Sequence, residues 1–66
     1  MQLSINGQPE TVDDGSTIAD LIAAKGLANK ACAAELNRVL VPKAEHASTH
    51  LNEGDSVELV TLVGGG

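Results

Sequence analysis

The sequence contains no phenylalanine, tyrosine or tryptophan, one cysteine, and four lysine and arginine residues in total. Without aromatic rings the chain has nothing on which nucleic-acid bases would stack, and its net charge of −5 opposes binding to phosphate backbones. Cys32 alone can form neither an internal disulfide nor a cysteine-rich metal site. These shortages exclude a nucleic-acid partner, and the excess of acidic residues favours a partner protein with a basic docking surface.

The sequence also lacks an apolar run long enough to span a bilayer, and its first residues do not resemble a signal peptide. We therefore expect a cytoplasmic protein that does not enter a membrane. Its 66 residues have room for one domain, with a core of aliphatic side chains. Because so small a core cannot spare a deep catalytic cleft, the sequence predicts a protein that is not itself an enzyme.

The first part of the chain has the pattern of a β-hairpin. Residues 1–6 alternate polar and apolar side chains, which predicts a half-buried strand. Asn6-Gly7 is typical of a two-residue turn in which both residues take a positive φ. A second strand is predicted over residues 8–12, and Pro9 places it at an edge of the sheet because proline lacks an N–H.

A helix is predicted after this hairpin. Thr17-x-x-Asp20 has the pattern of a capping box at a helix start, and Gly26 suits the left-handed position that follows a helix. The side chains that would face the core are Ile18, Leu21 and Ile22.

The second half of the chain predicts three more strands. Residues 31–36 alternate again, residues 39–41 form a short return strand, and residues 56–63 form the last strand. Arg38 is poorly suited to a positive φ, so we expect the turn at Asn37-Arg38 to be longer than two residues or of another type. The predicted fold class is α+β: a mixed sheet of four to five strands packed on one α-helix.

The three glycines at the end of the sequence, Gly64, Gly65 and Gly66, are its most informative feature. We predict a folded domain over residues 1–63 and a flexible glycine tail over residues 64–66. Glycine has no Cβ, so such a tail can pass through a narrow channel and leaves the Gly66 carboxylate sterically free. A carboxylate reacts with nucleophiles only after activation, and the sequence has no glycine-rich phosphate-binding loop of its own. Activation by a partner is therefore one interpretation; a frayed end without function is the other.

The last strand favours the first interpretation. One of its faces is expected to lie in the core, and the other carries two apolar residues, Val60 and Leu62, where a solvated sheet would have polar ones. The residues of the expected core face are Val57, Leu59, Thr61 and Val63. Val60 and Leu62 are therefore predicted to dock a partner beside the tail, unless a loop covers them.

Other reactive side chains have simpler explanations. His46 and His50 are four residues apart, but their segment is too short and irregular to predict a shared face, so we interpret them as solvated or capping residues rather than metal ligands. Cys32 is expected to point inward as a small apolar side chain. The aspartates near the helix start suit turns and caps better than acid–base catalysis.

The order of these motifs resembles that of the sulfur carrier proteins of thiamine biosynthesis. The resemblance covers essentially the whole chain. It includes Ile5-Asn6-Gly7, the segment 14–22, Glu35-Leu36-Asn37 leading to Val41-Pro42, Glu53-Gly54-Asp55, the strand 57–60 and the terminal Gly65-Gly66. The sequence departs from the family pattern at Asn37-Arg38, where Asn-Gly is common, and in the additional Gly64.

The resemblance implies the ubiquitin-like β-grasp fold and a specific role for Gly66. An E1-like adenylyltransferase would adenylate the Gly66 carboxylate with ATP, and a cysteine desulfurase or rhodanese-like donor would supply sulfur for a thiocarboxylate. Thiazole synthase would then take this sulfur to build the thiazole ring of thiamine. The chain would bind no cofactor or metal itself, and Gly64 and Gly65 would supply reach and clearance.

Three other functions fit parts of the sequence. A related carrier, such as the small subunit of molybdopterin synthase or a tRNA-thiolation carrier, would share the fold and the tail. A binding module with an incidental glycine tail, or a metal-dependent enzyme that uses His46 and His50, would leave the tail without a role.

Overall fold

The computed structural model describes residues 1–61, which form a mixed five-stranded sheet packed against one α-helix. The elements are β1 (Gln2–Ile5), β2 (Gln8–Thr11), α1 (Ile18–Ala24), β3 (Cys32–Leu36), β4 (Val39–Val41), a short 3-10 helix (Lys43–Glu45) and β5 (Ser56–Thr61). The strand order is β2-β1-β5-β3-β4; β1 and β5 run parallel, and the other neighbours run antiparallel. The predicted α+β architecture is confirmed. The predicted boundary between residues 1–63 and the tail lies outside the described residues.

The first hairpin forms as predicted. Asn6 has a φ of 52° and Gly7 a φ of 81°, so both turn residues lie in the left-handed region. β2 lies at one edge of the sheet, as predicted from Pro9. At an edge the missing N–H of proline leaves no neighbouring strand without a hydrogen-bond donor.

Helix α1 begins with the predicted capping box. The Thr17 hydroxyl accepts a hydrogen bond from the Asp20 backbone N–H at 3.1 Å, and the Asp20 carboxylate accepts one from the Thr17 N–H at 2.9 Å. Gly26 follows the helix with a φ of 74°. Within residues 1–61, no helix is long and apolar enough to cross a membrane.

The core lies between α1 and one face of the sheet, which we call the inner face. Ile18 is fully buried, and the other buried members of the cluster are Leu3, Ile5, Leu21, Ile22, Ala34, Leu51, Val57 and Leu59. The prediction for the last strand is confirmed for Val57 and Leu59 but wrong for Thr61, which is exposed. Thr61 pairs with Cys32, the first residue of β3. On its other side it has no partner in β1, because β1 pairs with β5 only at Ser56 and Val57.

The turn between β3 and β4 differs from the prediction. It has only two residues, and both take positive φ angles: 50° at Asn37 and 71° at Arg38. The Asn37 side chain accepts a hydrogen bond from the Ser56 N–H at 2.9 Å and donates one to the Asp55 carboxylate at 3.1 Å. The Asn37 N–H also donates to the Ser56 carbonyl at 2.7 Å. These bonds to a distant segment hold the turn in place, so Arg38 is forced into an unfavourable backbone conformation.

Replacing Arg38 with glycine is expected to raise the free energy of unfolding by about 0.5–1 kcal/mol. A left-handed residue with a Cβ costs about 1–2 kcal/mol, and part of the relief is offset by the greater flexibility of glycine in the unfolded chain. Urea denaturation measures the difference. Arg38→Ala is the matched control, because it keeps the Cβ and should bring no such gain. Lower stability of Arg38→Gly would show that the arginine side chain contributes more than the backbone strain costs.

Candidate functional site

The candidate site is built around β5, because this strand leads directly into the segment 62–66. β5 lies in the middle of the sheet between β1 and β3, and its last residue, Thr61, pairs with Cys32. β1 pairs with β5 only at Ser56 and Val57, whereas β3 pairs with it as far as Thr61 and so fixes the position of the last described residue. The sequence pattern predicted the strand but contained no signal for its central position.

The side chain of Asn6 holds β5 beyond the point where β1 ends. Its Oδ1 accepts a hydrogen bond from the Leu59 N–H at 2.7 Å, and its Nδ2 donates to the Leu59 carbonyl at 3.3 Å. The side-chain amide thus forms the hydrogen bonds to β5 that the next residue of β1 would form if that strand continued. This contact could not be predicted from the sequence pattern, because a positive φ in the turn is by itself a sufficient reason for an asparagine at this position.

Apolar side chains are exposed on the face of the sheet opposite α1, which we call the outer face. Val60 is 55% exposed and Leu40 is 62% exposed, and half-buried Ala33 pairs with Val60. The predicted exposure of Val60 is confirmed, and no loop of the described residues covers it. Val60 is the last outward-facing residue in the described part of β5, so this apolar surface lies close to the point where the segment 62–66 begins.

Charged residues lie on the same surface. Glu35 of β3 pairs with Glu58 of β5 on one side and with Leu40 of β4 on the other. Glu35, Glu58 and Arg38 line a shallow groove together with Ala33 and Val60. We call these five residues and Leu40 the outer patch. It combines apolar contact area with two carboxylates and one guanidinium.

The remaining predicted site residues are Leu62, Gly64, Gly65 and Gly66, and all of them lie outside the described residues. Of the predicted site residues, the structure describes Val60 alone, and it shows that this side chain is exposed; docking at Val60 stays a prediction. The roles assigned to the glycine tail and to Leu62 likewise stay predictions.

The two histidines lie in different surroundings. His50 is exposed, as predicted, and its Nδ1 lies 3.3 Å from the Gly15 carbonyl. His46 is the C-cap residue of the 3-10 helix, which agrees with the capping interpretation, but it is not solvated: it is only 8% exposed, with its Nε2 3.1 Å from the Val41 carbonyl. Its own carbonyl accepts a hydrogen bond from the Ala19 N–H, which draws the segment onto α1. Within residues 1–61, no three His, Cys, Asp or Glu side chains converge so as to hold a metal ion.

Cys32 lies on the inner face at the start of β3. It is half-buried and packs against the core cluster, as predicted for a small apolar side chain. Its Sγ lies 3.7 Å from the Ala33 carbonyl, which is a weak contact.

Comparison with known proteins identifies the relatives of this chain. The model of the ThiS family matches residues 3–66. The chain is 35% identical over 66 residues to a thiazole synthase of Paramagnetospirillum magneticum, and it spans about a fifth (20%) of the length of that protein. It is also 35% identical over 65 residues to the sulfur carrier protein ThiS of Bacillus subtilis, with 97% of this chain and 98% of that protein covered.

A solved structure agrees with the sequence relatives. The crystal structure of the thiamine biosynthesis protein ThiS from Geobacter metallireducens superposes with a TM-score of 0.83 at 32% identity, covering 100% of both chains. The five-stranded sheet and the single helix are therefore those of the ubiquitin-like β-grasp fold, as the resemblance implied. This chain belongs to the ThiS family.

Proposed function

We propose that this protein is a sulfur carrier of thiamine biosynthesis whose reacting group is the carboxylate of Gly66. The observation that carries the proposal is a family match that runs to residue 66 and so includes the glycine tail. In the sequence the tail comes shortly after β5, the strand that lies between β1 and β3 in the sheet. The folded head thus serves to present the tail to partners that do the chemistry.

The chemistry requires activation by a partner. An E1-like adenylyltransferase transfers AMP from ATP to the carboxylate, with release of pyrophosphate. The terminal sulfur of a cysteine persulfide on a desulfurase or rhodanese-like donor attacks the carbonyl carbon and displaces AMP. A thiol then cleaves the resulting acyl persulfide, so that the Gly66 thiocarboxylate and a disulfide are formed. Thiazole synthase accepts the sulfur. In this scheme the protein is a co-substrate, and ATP is bound only by the activating enzyme.

The length of the tail limits where the partner binds. The five residues after Thr61 can span at most about 17 Å when fully extended. Ordering them costs about 1–2 kcal/mol per residue, while glycines offer no side chains for contact. Most of the affinity must therefore come from the folded domain close to the exit of the tail. Val60 meets this requirement, and Leu62 continues the same alternation in the sequence.

Intact-protein mass spectrometry tests the proposal. After incubation with an E1-like adenylyltransferase, ATP and a sulfur donor, the protein is expected to gain the mass of one oxygen replaced by sulfur. Fragmentation should locate the change at Gly66, and a reaction without ATP should leave the mass unchanged. Sulfur located within residues 1–61 instead would refute the carrier role of the tail. Transfer of the sulfur to thiazole synthase distinguishes the thiamine carrier from related carriers.

A further inference from the structure

Within residues 1–61, Asn6 supplies the last hydrogen bonds that join the β1 side of the sheet to β5. Its N–H donates to the Val57 carbonyl at 2.8 Å, and its side chain then bonds both backbone groups of Leu59. Asn6 and Gly7 take φ angles of 52° and 81°, so the chain turns into β2 and β1 cannot follow β5 any further. The amide therefore carries the contact two residues beyond the point that the backbone of β1 reaches.

The end of β5 has little other support. β3 pairs with β5 as far as Thr61, but β4 pairs with β3 only at residues 34–36. Residues 60–61 thus lie in a ribbon of two strands, and such a ribbon is marginally stable on its own in water. Loss of the Asn6 contact would leave this end of β5 joined to the sheet through β3 alone.

We infer that Asn6 is a positioning residue for adenylation of Gly66: its side chain keeps the end of β5 in the sheet and so fixes the point from which the segment 62–66 reaches the activating enzyme. This inference rests on the proposed function. A fixed starting point matters because the enzyme must order every mobile residue between the domain and the reacting carboxylate. Ordering one more residue costs a factor of about 5–30. If the end of β5 left the sheet, residues 60–61 would be added to the five that follow them.

The chemistry of the Asn6 side chain suits this task. An amide offers one acceptor and one donor, which match the N–H and the carbonyl of Leu59. Aspartate would keep the acceptor but would place a second carboxylate oxygen against the Leu59 carbonyl. Glycine would keep the turn conformation and lose both hydrogen bonds. These two substitutions therefore weaken the contact in two steps without forcing the turn into strain.

The initial rate of ATP-dependent pyrophosphate release with a purified E1-like adenylyltransferase tests this inference. Each variant is assayed at a temperature at which far-UV circular dichroism shows it to be folded. The kcat/KM of Asn6→Gly is expected to fall at least about tenfold, because residues 60–61 must be ordered again. Asn6→Asp should lie between Asn6→Gly and the unaltered protein. Hydrogen exchange at the Thr61 N–H, relative to that at Val57, should accelerate in Asn6→Gly.

Thr17→Ala is the matched control, because it removes a hydrogen-bonding side chain and lowers stability at the start of α1. Thr61 instead shares a cavity with Lys25 and Leu27, which lie just after the end of α1. The kcat/KM of Thr17→Ala should equal that of the unaltered protein.

Equal kcat/KM values for Asn6→Gly and Thr17→Ala would overturn the inference. Should Asn6→Gly fail to fold, Asn6→Asp takes its place in this comparison. Absence of pyrophosphate release with the unaltered protein refutes the proposed function, whereas equal rates for the unaltered protein and the Asn6 variants refute only the positioning role.

Discussion

Conversion of the Gly66 carboxylate to a carboxamide is expected to abolish ATP-dependent sulfur loading completely. Adenylation requires a carboxylate oxygen to attack the α-phosphate of ATP, and a primary amide offers no such anionic nucleophile. The change lies five residues beyond β5, so the folded domain should keep its melting temperature. Intact-protein mass spectrometry measures the loading, and thermal denaturation measures the stability.

Removal of one glycine is the control for this experiment. Because Gly64, Gly65 and Gly66 are identical, deleting any of them yields the same protein, which ends in two glycines and keeps a free carboxylate. Its reach falls by only about 3.4 Å, and it is expected to load sulfur. Loading of the carboxamide would refute the role of the terminal carboxylate, and loss of loading in the shortened protein as well would show that a free carboxylate without the full tail length is not sufficient.

Replacing Asn6 with alanine is expected to lower the free energy of unfolding by about 2–5 kcal/mol. Alanine at a φ of 52° costs about 1–2 kcal/mol, and each lost hydrogen bond to Leu59 costs about 0.5–1.5 kcal/mol. A domain of this size has only about 3–10 kcal/mol of total stability, so the substitution would remove a large part of that stability. Urea denaturation measures the loss.

Asn6→Gly separates the two contributions. Glycine accepts the left-handed backbone conformation but cannot replace the amide, so its expected loss is smaller, about 1–3 kcal/mol. Hydrogen exchange at the Leu59 N–H should accelerate in both variants, because the acceptor at Oδ1 is gone. If both variants were as stable as the original protein, the side chain of Asn6 would contribute nothing to holding β5.

Local features were predictable from the sequence. The capping box at Thr17 and the turn at Asn6-Gly7 depend on residues within a few positions of each other, and both are confirmed. The alternation in β5 likewise predicted that Val57 is buried and Val60 exposed.

Long-range contacts account for what the sequence did not predict. Arg38 takes a positive φ because Asn37 is bonded to Asp55 and Ser56, which are distant in the chain. His46 is buried because its segment is bonded to α1.

The candidate site was predictable only in part, for the same reason. The exposure of Val60 follows from local alternation, but the opposition of Glu35 and Glu58 depends on the register between β3 and β5. The hydrogen bonds between the Asn6 side chain and the Leu59 backbone join residues 53 positions apart. A single sequence carries no pattern that reveals either pairing.

Among the strands that the structure describes, the central one, β5, is the last to be synthesised. Until residues 56–61 emerge from the ribosome, the β1–β2 hairpin and the β3–β4 hairpin have no strand between them, and the core lacks Val57 and Leu59. A nascent chain that stops early therefore displays neither a finished docking surface nor an end to modify. The domain can fold completely only when the strand next to the tail has been made. Under the proposed function, activating enzymes would therefore not use ATP on incomplete carriers.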